Sequence, residues 1–231
     1  TRIKQAFDSF LRMPNPPGHQ FSTKDRILGA AEELFAQHGF GGTSLRQVTS
    51  RADVNIAAVN YHFGSKENLV NEVFRRRMDE MSACRLALLK QAQDTHPGEL
   101  EPILAAFVEP ALALTQDRGS RAFVRVIARA YVEKHEGLRK FMSEQYGHVV
   151  REFAKAIADC VPGLSKEQRY WRLDFLAGAL MYAMADFGLI KRPAGVSEAE
   201  HRARAARELI RFSTAGFLAD VAQADRPRAE K

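Results

Sequence analysis

From residue 24 to about residue 223, apolar residues recur at helical spacing, and no segment alternates with period two over a convincing length. Such a pattern leaves no material for a sheet and implies an all-α fold. Residues 24–38 put Ile27, Ala30, Ala31, Leu34 and Phe35 on one stripe, with Ser22 or Thr23 as the start signal and Gly39 as the stop. Thr43 is the expected cap of a short second helix, SLRQVTSRA, with Leu45, Val48 and Ala52 facing inward. Asp53 and Val54 supply a tight turn. Asn55 caps a third helix that Gly64 closes, and Ser65 opens a fourth that reaches about Gln93. Longer helices are expected at 99–117, 120–134, 136–160, 165–191 and 197–223, with Pro110 kinking or splitting the first of them.

The change from short to long helices divides the chain into residues 1–21 as an extension and linker, 22–68 as a small helical head, and 69–231 as a larger helical body. Within the extension, Ile3, Phe7, Phe10 and Leu11 share one face of an extra helix, followed by a linker around Pro14, Pro16, Pro17 and Gly18. Arg2, Lys4 and Arg12 give that segment a basic balance, so it reads as a docked helix, a tail or an arm beside DNA. The last residues, ADRPRAEK, read as a frayed end.

The third helix carries the functional signal. Wound at 100° per residue, Ile56, Val59 and Phe63 fall together toward a core. Ala57, Ala58, Tyr61 and His62 fall on the other side, with Asn60 on the flank. A solvated face normally carries Glu, Lys and Gln, whereas this one combines small residues with hydrogen-bonding groups. Two alanines let a backbone approach base edges and touch a thymine methyl, and Asn60 offers paired donor and acceptor groups to an adenine. Tyr61 and His62 reach phosphates or sugars. With the short helix and turn before it, this is a helix-turn-helix. Thr43, Ser44, Arg46, Asn55 and Lys66 complete the expected DNA-facing set. Lys66 stands at a helix N-terminus, where free N–H groups favour a phosphate.

Charge alone would miss this site. The chain has a formal net charge of +6 and a pI near 9.5, yet residues 22–68 carry five basic residues (Lys24, Arg26, Arg46, Arg51, Lys66) against five acidic ones (Asp25, Glu32, Glu33, Asp53, Glu67). Placement has to do what excess charge does not.

The stretch LGAAEELFAQHGFGGTSLRQVTSRADVNIAAVNYHFGSKENL resembles the DNA-binding domain of the TetR family of bacterial regulators. The likeness runs through the AAEELFAQHGF helix, Thr43, the YHF end of the reading helix and SKENL after it. Asp53 departs from the family's turn glycine, and Asn60 from its frequent aromatic. The resemblance implies a three-helix head and an all-helical body that dimerises and binds a small molecule. It also implies a seam of two helices per chain whose two-fold axis matches a palindromic operator. The expected contributors are Ala177, Leu180, Met184 and Phe187, then Leu209, Phe212, Ser213, Gly216 and Phe217. NIAAVNYHFGSK, LRKFMSEQYGHVVREF and YWRLDFLAGAL are further similar to the fatty-acid-responsive, PsrA-like branch.

An apolar effector such as a fatty acid or acyl-CoA is therefore expected, held by Phe107, Phe123, Ile127, Tyr131, Tyr146, Phe153, Phe175 and Met181. Arg125, Arg129, His135, His148 and Arg151 are available to its head group. The reading left beside this one is a dimeric DNA-binding protein without small-molecule control, its body serving dimerisation or partner recruitment. Catalysis finds no purchase: there is no Gly-rich phosphate loop, no His-x-x-x-His pair and no nucleophile elbow. Cys84 and Cys160 lie far apart and lack partners at metal spacing, so neither metal nor cofactor is expected. No apolar run approaches a membrane span, and a reducing cytoplasm is the expected setting.

Overall fold

The computed structural model describes residues 22–113, 118–185 and 190–219, without the side chains of residues 118–121 and 131. Among the described residues there are nine helices and no strand: α1 (Thr23–His38), α2 (Leu45–Ala52), α3 (Ile56–Phe63), α4 (Lys66–Thr95), α5 (Leu100–Ala113), α6 (Arg118–Val132), α7 (Glu136–Cys160), α8 (Lys166–Met184) and α9 (Glu198–Leu218). The expected extension and frayed C-terminus lie outside the described residues. No helix is long and apolar enough to cross a membrane among them.

The starts follow local chemistry. Ser44 accepts from the Gln47 N–H while the Gln47 side chain accepts from the Ser44 N–H, a reciprocal capping box for α2. Asn55 accepts from Ala58 N–H at the start of α3, Ser165 and Gln168 repeat the capping box at α8, and Ser197 caps α9. Thr43 is not the cap that the sequence suggested. It is buried, and its hydroxyl lies 2.8 Å from the Gly39 carbonyl and 3.2 Å from that of Leu34, so it ties off the end of α1. Asp53 takes the left-handed turn conformation at φ 52°, which Asp tolerates better than most residues. Three expected boundaries shift. α5 runs unbroken through Pro110, whose neighbours Ala106, Phe107, Ala111 and Leu112 are all buried and hold the turn in place. α8 ends at Met184 rather than 191, and α9 at Leu218 rather than 223.

The chain forms two compact units. Among the described residues, the first takes those within 22–84 and 113–147, the second those within 85–112 and 148–219. The sequence boundary at 68/69 falls inside α4, whose early turns belong with the head.

In the first unit, Ile27, Ala31 and Phe35 of α1, Val48 of α2 and Val59 of α3 are buried with Leu69, Val70 and Phe74 of α4 and Phe123 and Val126 of α6. Phe40 packs against Phe35 (5.3 Å between centroids), Phe74 (6.4 Å) and His135 (5.2 Å), and Phe74 meets Phe123 edge-on at 5.4 Å. Tyr146 is buried and donates to Asp79 at 2.6 Å. Burial, and then the bond to Asp79, hold its hydroxyl well above the usual tyrosine range, so it remains a donor.

In the second unit, Leu88 and Leu89 of α4, Ile103 and Leu104 of α5, Phe153 and Ile157 of α7, Leu173, Leu176 and Leu180 of α8, and Ile210 and Phe217 of α9 form the core. Arg85 is buried, donates to the Phe107 carbonyl at 2.9 Å and lies over the Phe107 ring at 3.9 Å. Arg172 donates to the carbonyls of Gly216 and Phe217 at 2.7 and 2.8 Å, which satisfies orphan acceptors at the end of α9.

Candidate nucleic-acid interface

Helix α3 is short because its two ends are fixed by residues that cannot continue it: Asn55 at the start and Gly64 at the end, at φ 73°. Val59 and Phe63 are buried and fasten it to α1 and α2. On the other side, Ala57, Asn60, Tyr61 and His62 are exposed, Tyr61 to 86%, and Ala58 is half-buried. The Tyr61 and His62 rings meet edge-on at 5.1 Å, which restrains both side chains on one face.

Ile56 departs from the sequence reading. At 45% exposure it does not join Val59 and Phe63 in the core. It is the first helical residue, and its apolar side chain stands in solvent beside Ala57. Periodicity had assigned it inward; only the shortness of the helix warned against that.

The electrostatics resolve the neutral charge balance. Arg51 is bound to Glu33 at 2.6 Å, Lys24 to Glu72 at 3.2 Å, and Arg26 approaches Asp53 at 4.0 Å. The buried Glu32 faces Arg77 of α4 at 3.6 Å. Of the five basic residues in the head, Arg46 and Lys66 alone form no ion pair among the described residues. Arg46 lies on the exposed side of α2, and Lys66 opens α4, whose first turn is capped by the Ser65 hydroxyl accepting from Asn68 N–H at 3.1 Å. The acids thus neutralise cations that build the head and leave unpaired the two that flank α3.

The loop behind the head is anchored to the first unit's other helices. Glu133, just past α6, accepts from the Phe40 N–H at 3.1 Å, and Arg129 donates to the Gln37 carbonyl at 3.2 Å. Gly39 at φ 75° is needed there, since a Cβ would collide with the Glu133 carboxylate. His135 accepts from Leu138 N–H at 3.1 Å and so caps α7. Arg129 and His135, expected at an effector head group, are therefore engaged in structure. Arg125, His148 and Arg151 are exposed.

The effector residues expected from the sequence are divided between the two units. Phe123, Ile127 and Tyr146 belong to the first unit; Phe107, Phe153, Phe175 and Met181 belong to the second. Phe123 and Phe153 are wholly buried packing residues, and Phe175 is 65% exposed. Tyr131's side chain is outside the described residues. Phe107 does line an open groove of about 390 Å³ within the second unit, with Val150, Glu167, Tyr170, Trp171, Leu173, Asp174 and Ala177; the sequence reading named Phe107 for an effector and Ala177 for a dimer seam, and passed over the other six.

The expected seam is likewise redistributed. Leu180, Met184, Ser213 and Phe217 are buried within the chain, where α8 packs on α9; Ala177 and Leu209 are half-buried, and Phe187 lies outside the described residues. The apolar stripe read from the sequence is the one that faces its own bundle. The exposed apolar residues on these helices are Trp171, Phe175 and Tyr182 of α8 with Phe212 and Leu218 of α9, and Gly216 beside them.

Among the described residues no group of three or more His, Cys, Asp or Glu is placed to hold a metal ion.

Comparison with known proteins matches two segments of the chain. A family model described as bacterial regulatory proteins, tetR family, matches residues 27–73, and one described as tetracyclin repressor-like, C-terminal domain, matches residues 105–216. The chain is 47% identical over 57 residues to the HTH-type transcriptional regulator YttP of Bacillus subtilis, covering 23% of this chain and 28% of that one. It is 30% identical over 95 residues to the HTH-type transcriptional repressor KstR2 of Mycolicibacterium smegmatis, covering 41% and 44%. The matches thus span less than half the length of these curated relatives. A TetR-family transcription regulator from Shewanella sp. PV-4 superposes with a TM-score of 0.59 at 20% identity, over 85% of this chain and 96% of that one, and shares the fold.

Proposed function

The chain belongs to the TetR family of bacterial regulatory proteins, and we propose that it is a non-enzymatic, homodimeric transcriptional repressor that leaves a palindromic operator when a small, largely apolar effector occupies its body. The observation that carries this reading is the face of α3. It is fastened from behind by Val59 and Phe63, presents Ile56, Ala57, Asn60, Tyr61 and His62 outward, and is flanked by the head's two cations without ion-pair partners, Arg46 and Lys66. Residues 22–68 form the DNA-binding segment in this reading, with Ser44 and Asn55 holding the two helix starts toward phosphates. Thr43, being buried, acts through the loop that it ties down.

The exposed Trp171, Phe175, Tyr182, Phe212 and Leu218 supply a contiguous reason for a second copy to pack on α8 and α9, since water-facing aromatics on neighbouring helices favour association. A two-fold dimer presents two reading helices to two half-sites. Effector and operator then oppose each other reciprocally, because each favours a different head spacing. A fatty acid or acyl-CoA as that effector rests on the likeness of body segments to one branch of the family.

The test is a footprint. Fragments of the source genome bound by the purified protein are selected, sequenced and footprinted with the wild type and with Tyr61→Ala. The reading expects a palindromic footprint that Tyr61→Ala weakens at fixed salt while the melting temperature holds, because Tyr61 contributes nothing to the core. An unchanged footprint and affinity would remove α3 as the reading element.

A further inference from the structure

We propose that the open groove of the second unit binds a lipophilic organic cation, and that this is the effector site; the inference rests on the repressor reading and sets a cation in place of the fatty acid or acyl-CoA. The groove lies between Phe107 of α5, Val150 of α7 and a row on α8: Glu167, Tyr170, Trp171, Asp174 and Ala177. Glu167, Asp174 and the adjacent pair Tyr170 and Trp171 are three or four residues apart, and Ala177 lies three beyond Asp174, so the row shares one broad face.

Its volume of about 390 Å³ lies in the range of small-molecule sites. The walls contributed by Phe107, Val150, Leu173 and Ala177 are apolar and suit a hydrocarbon body. The charged residues of the lining are both acidic, in a chain whose formal charge is +6. Neither Glu167 nor Asp174 forms an ion pair or side-chain hydrogen bond among the described residues.

Three arginines near the groove are engaged elsewhere. Arg85 is bonded to the Phe107 carbonyl and lies on that ring. Arg169 donates to the Leu164 carbonyl, and Arg172 to those of Gly216 and Phe217. Both lining carboxylates stand on α8, so a ligand's cationic centre belongs against α8.

There it meets Tyr170 and Trp171 between the two carboxylates. Aromatic faces attract cations, most strongly when the cation is poorly hydrated. A metal ion does not suit this arrangement: seven residues along a helix separate Glu167 and Asp174 by about 10.5 Å of rise, too far to share one small ion. A fatty acid carboxylate placed here would meet two like charges, and no basic residue lines the groove. Trp171, 55% exposed, stands at the edge between groove and proposed dimer face, so a ligand against it alters a residue next to the seam.

Trp171 is the sole tryptophan of the chain, which makes its fluorescence a local reporter. The full-length protein is titrated with lipophilic monocations from benzyltrimethylammonium to tetraphenylphosphonium, and with decanoate, followed by fluorescence and calorimetry. Operator binding is measured on the same preparation. The expected result is saturable binding of at least one cation, a change in Trp171 emission, and release of operator DNA. Glu167→Gln with Asp174→Asn should weaken the cation about tenfold while operator affinity without ligand is unchanged. Decanoate binding that the double variant does not disturb, or no binding by any cation, overturns the proposal. If operator binding is sound in either case, the cation site alone fails; absence of operator binding is the separate failure of the repressor reading.

Discussion

The Glu133 carboxylate accepts from the backbone N–H of Phe40 at 3.1 Å, across 93 residues of chain. The bond joins the loop that ends α1 to the turn that ends α6, beside a glycine, Gly39, that leaves room for it. With Arg129 holding the Gln37 carbonyl, it attaches the back of the head to α6.

Removing that acceptor should be felt in the head. Glu133→Ala leaves the Phe40 N–H without its partner and is expected to cost about 1 kcal/mol, lowering Tm by roughly 2–4 °C. Amide exchange at Phe40 should quicken with it. A Tm within a degree of wild type and unchanged exchange would mean that the loop is held by Phe40 packing alone.

The exposed Ile56 is expected to touch a thymine methyl. Burying one methyl is worth about 0.8 kcal/mol, roughly fourfold in Kd. Replacing operator thymines by uracil one at a time should therefore weaken wild-type binding at one position in each half-site and leave Ile56→Ala indifferent there. Equal sensitivity of both proteins at every position would refute the contact.

Ion pairing within the head makes a prediction about salt. Lys66→Ala and Arg46→Ala should each weaken specific and non-specific DNA alike and lower the slope of log K against log salt by about one unit per half-site. Arg51→Ala, which breaks the 2.6 Å pair with Glu33, should leave the slope near wild type. A larger slope change for Arg51 than for Lys66 would reverse the assignment of free and engaged cations.

Glu109 predicts a pH effect. Its burial raises the carboxyl above its ordinary value. The folded state thus holds the proton more tightly than the unfolded state, so this group's contribution is present at low pH and is lost as pH rises through the folded value. Glu109→Gln should raise Tm at pH 7 and leave it nearly unchanged near pH 4. A Tm at pH 7 equal to or below wild type would show that the half-buried carboxylate has a compensating partner.

Local signals carried the head. Side-chain caps, turn residues and apolar spacing act within a few residues, so α1 to α4 could be traced from the chain alone; Ser44 displaced Thr43 as cap because the hydroxyl of Thr43 found carbonyls of α1 first. Ile56 was misassigned because a helical wheel reports direction and not the extent of the neighbour it faces. The body was less legible for the same physical reason. Leu180, Met184, Ser213 and Phe217 form an apolar stripe whether they face a second copy or their own bundle, and periodicity does not distinguish the two. The groove draws on α5, α7 and α8, and no local pattern brings Phe107 to Trp171.

The central claim is that α3, flanked by Arg46 and Lys66, reads a two-fold DNA site. Its most direct measurement is a fluorescence-anisotropy titration of the selected operator, intact and with one half-site scrambled, with wild type and Lys66→Ala at several salt concentrations. The account predicts one dimer per palindrome, a large loss of affinity for the scrambled site, and a salt slope about one unit shallower per half-site for Lys66→Ala. Equal affinity for intact and scrambled sites, with a slope that the substitution does not change, would contradict it.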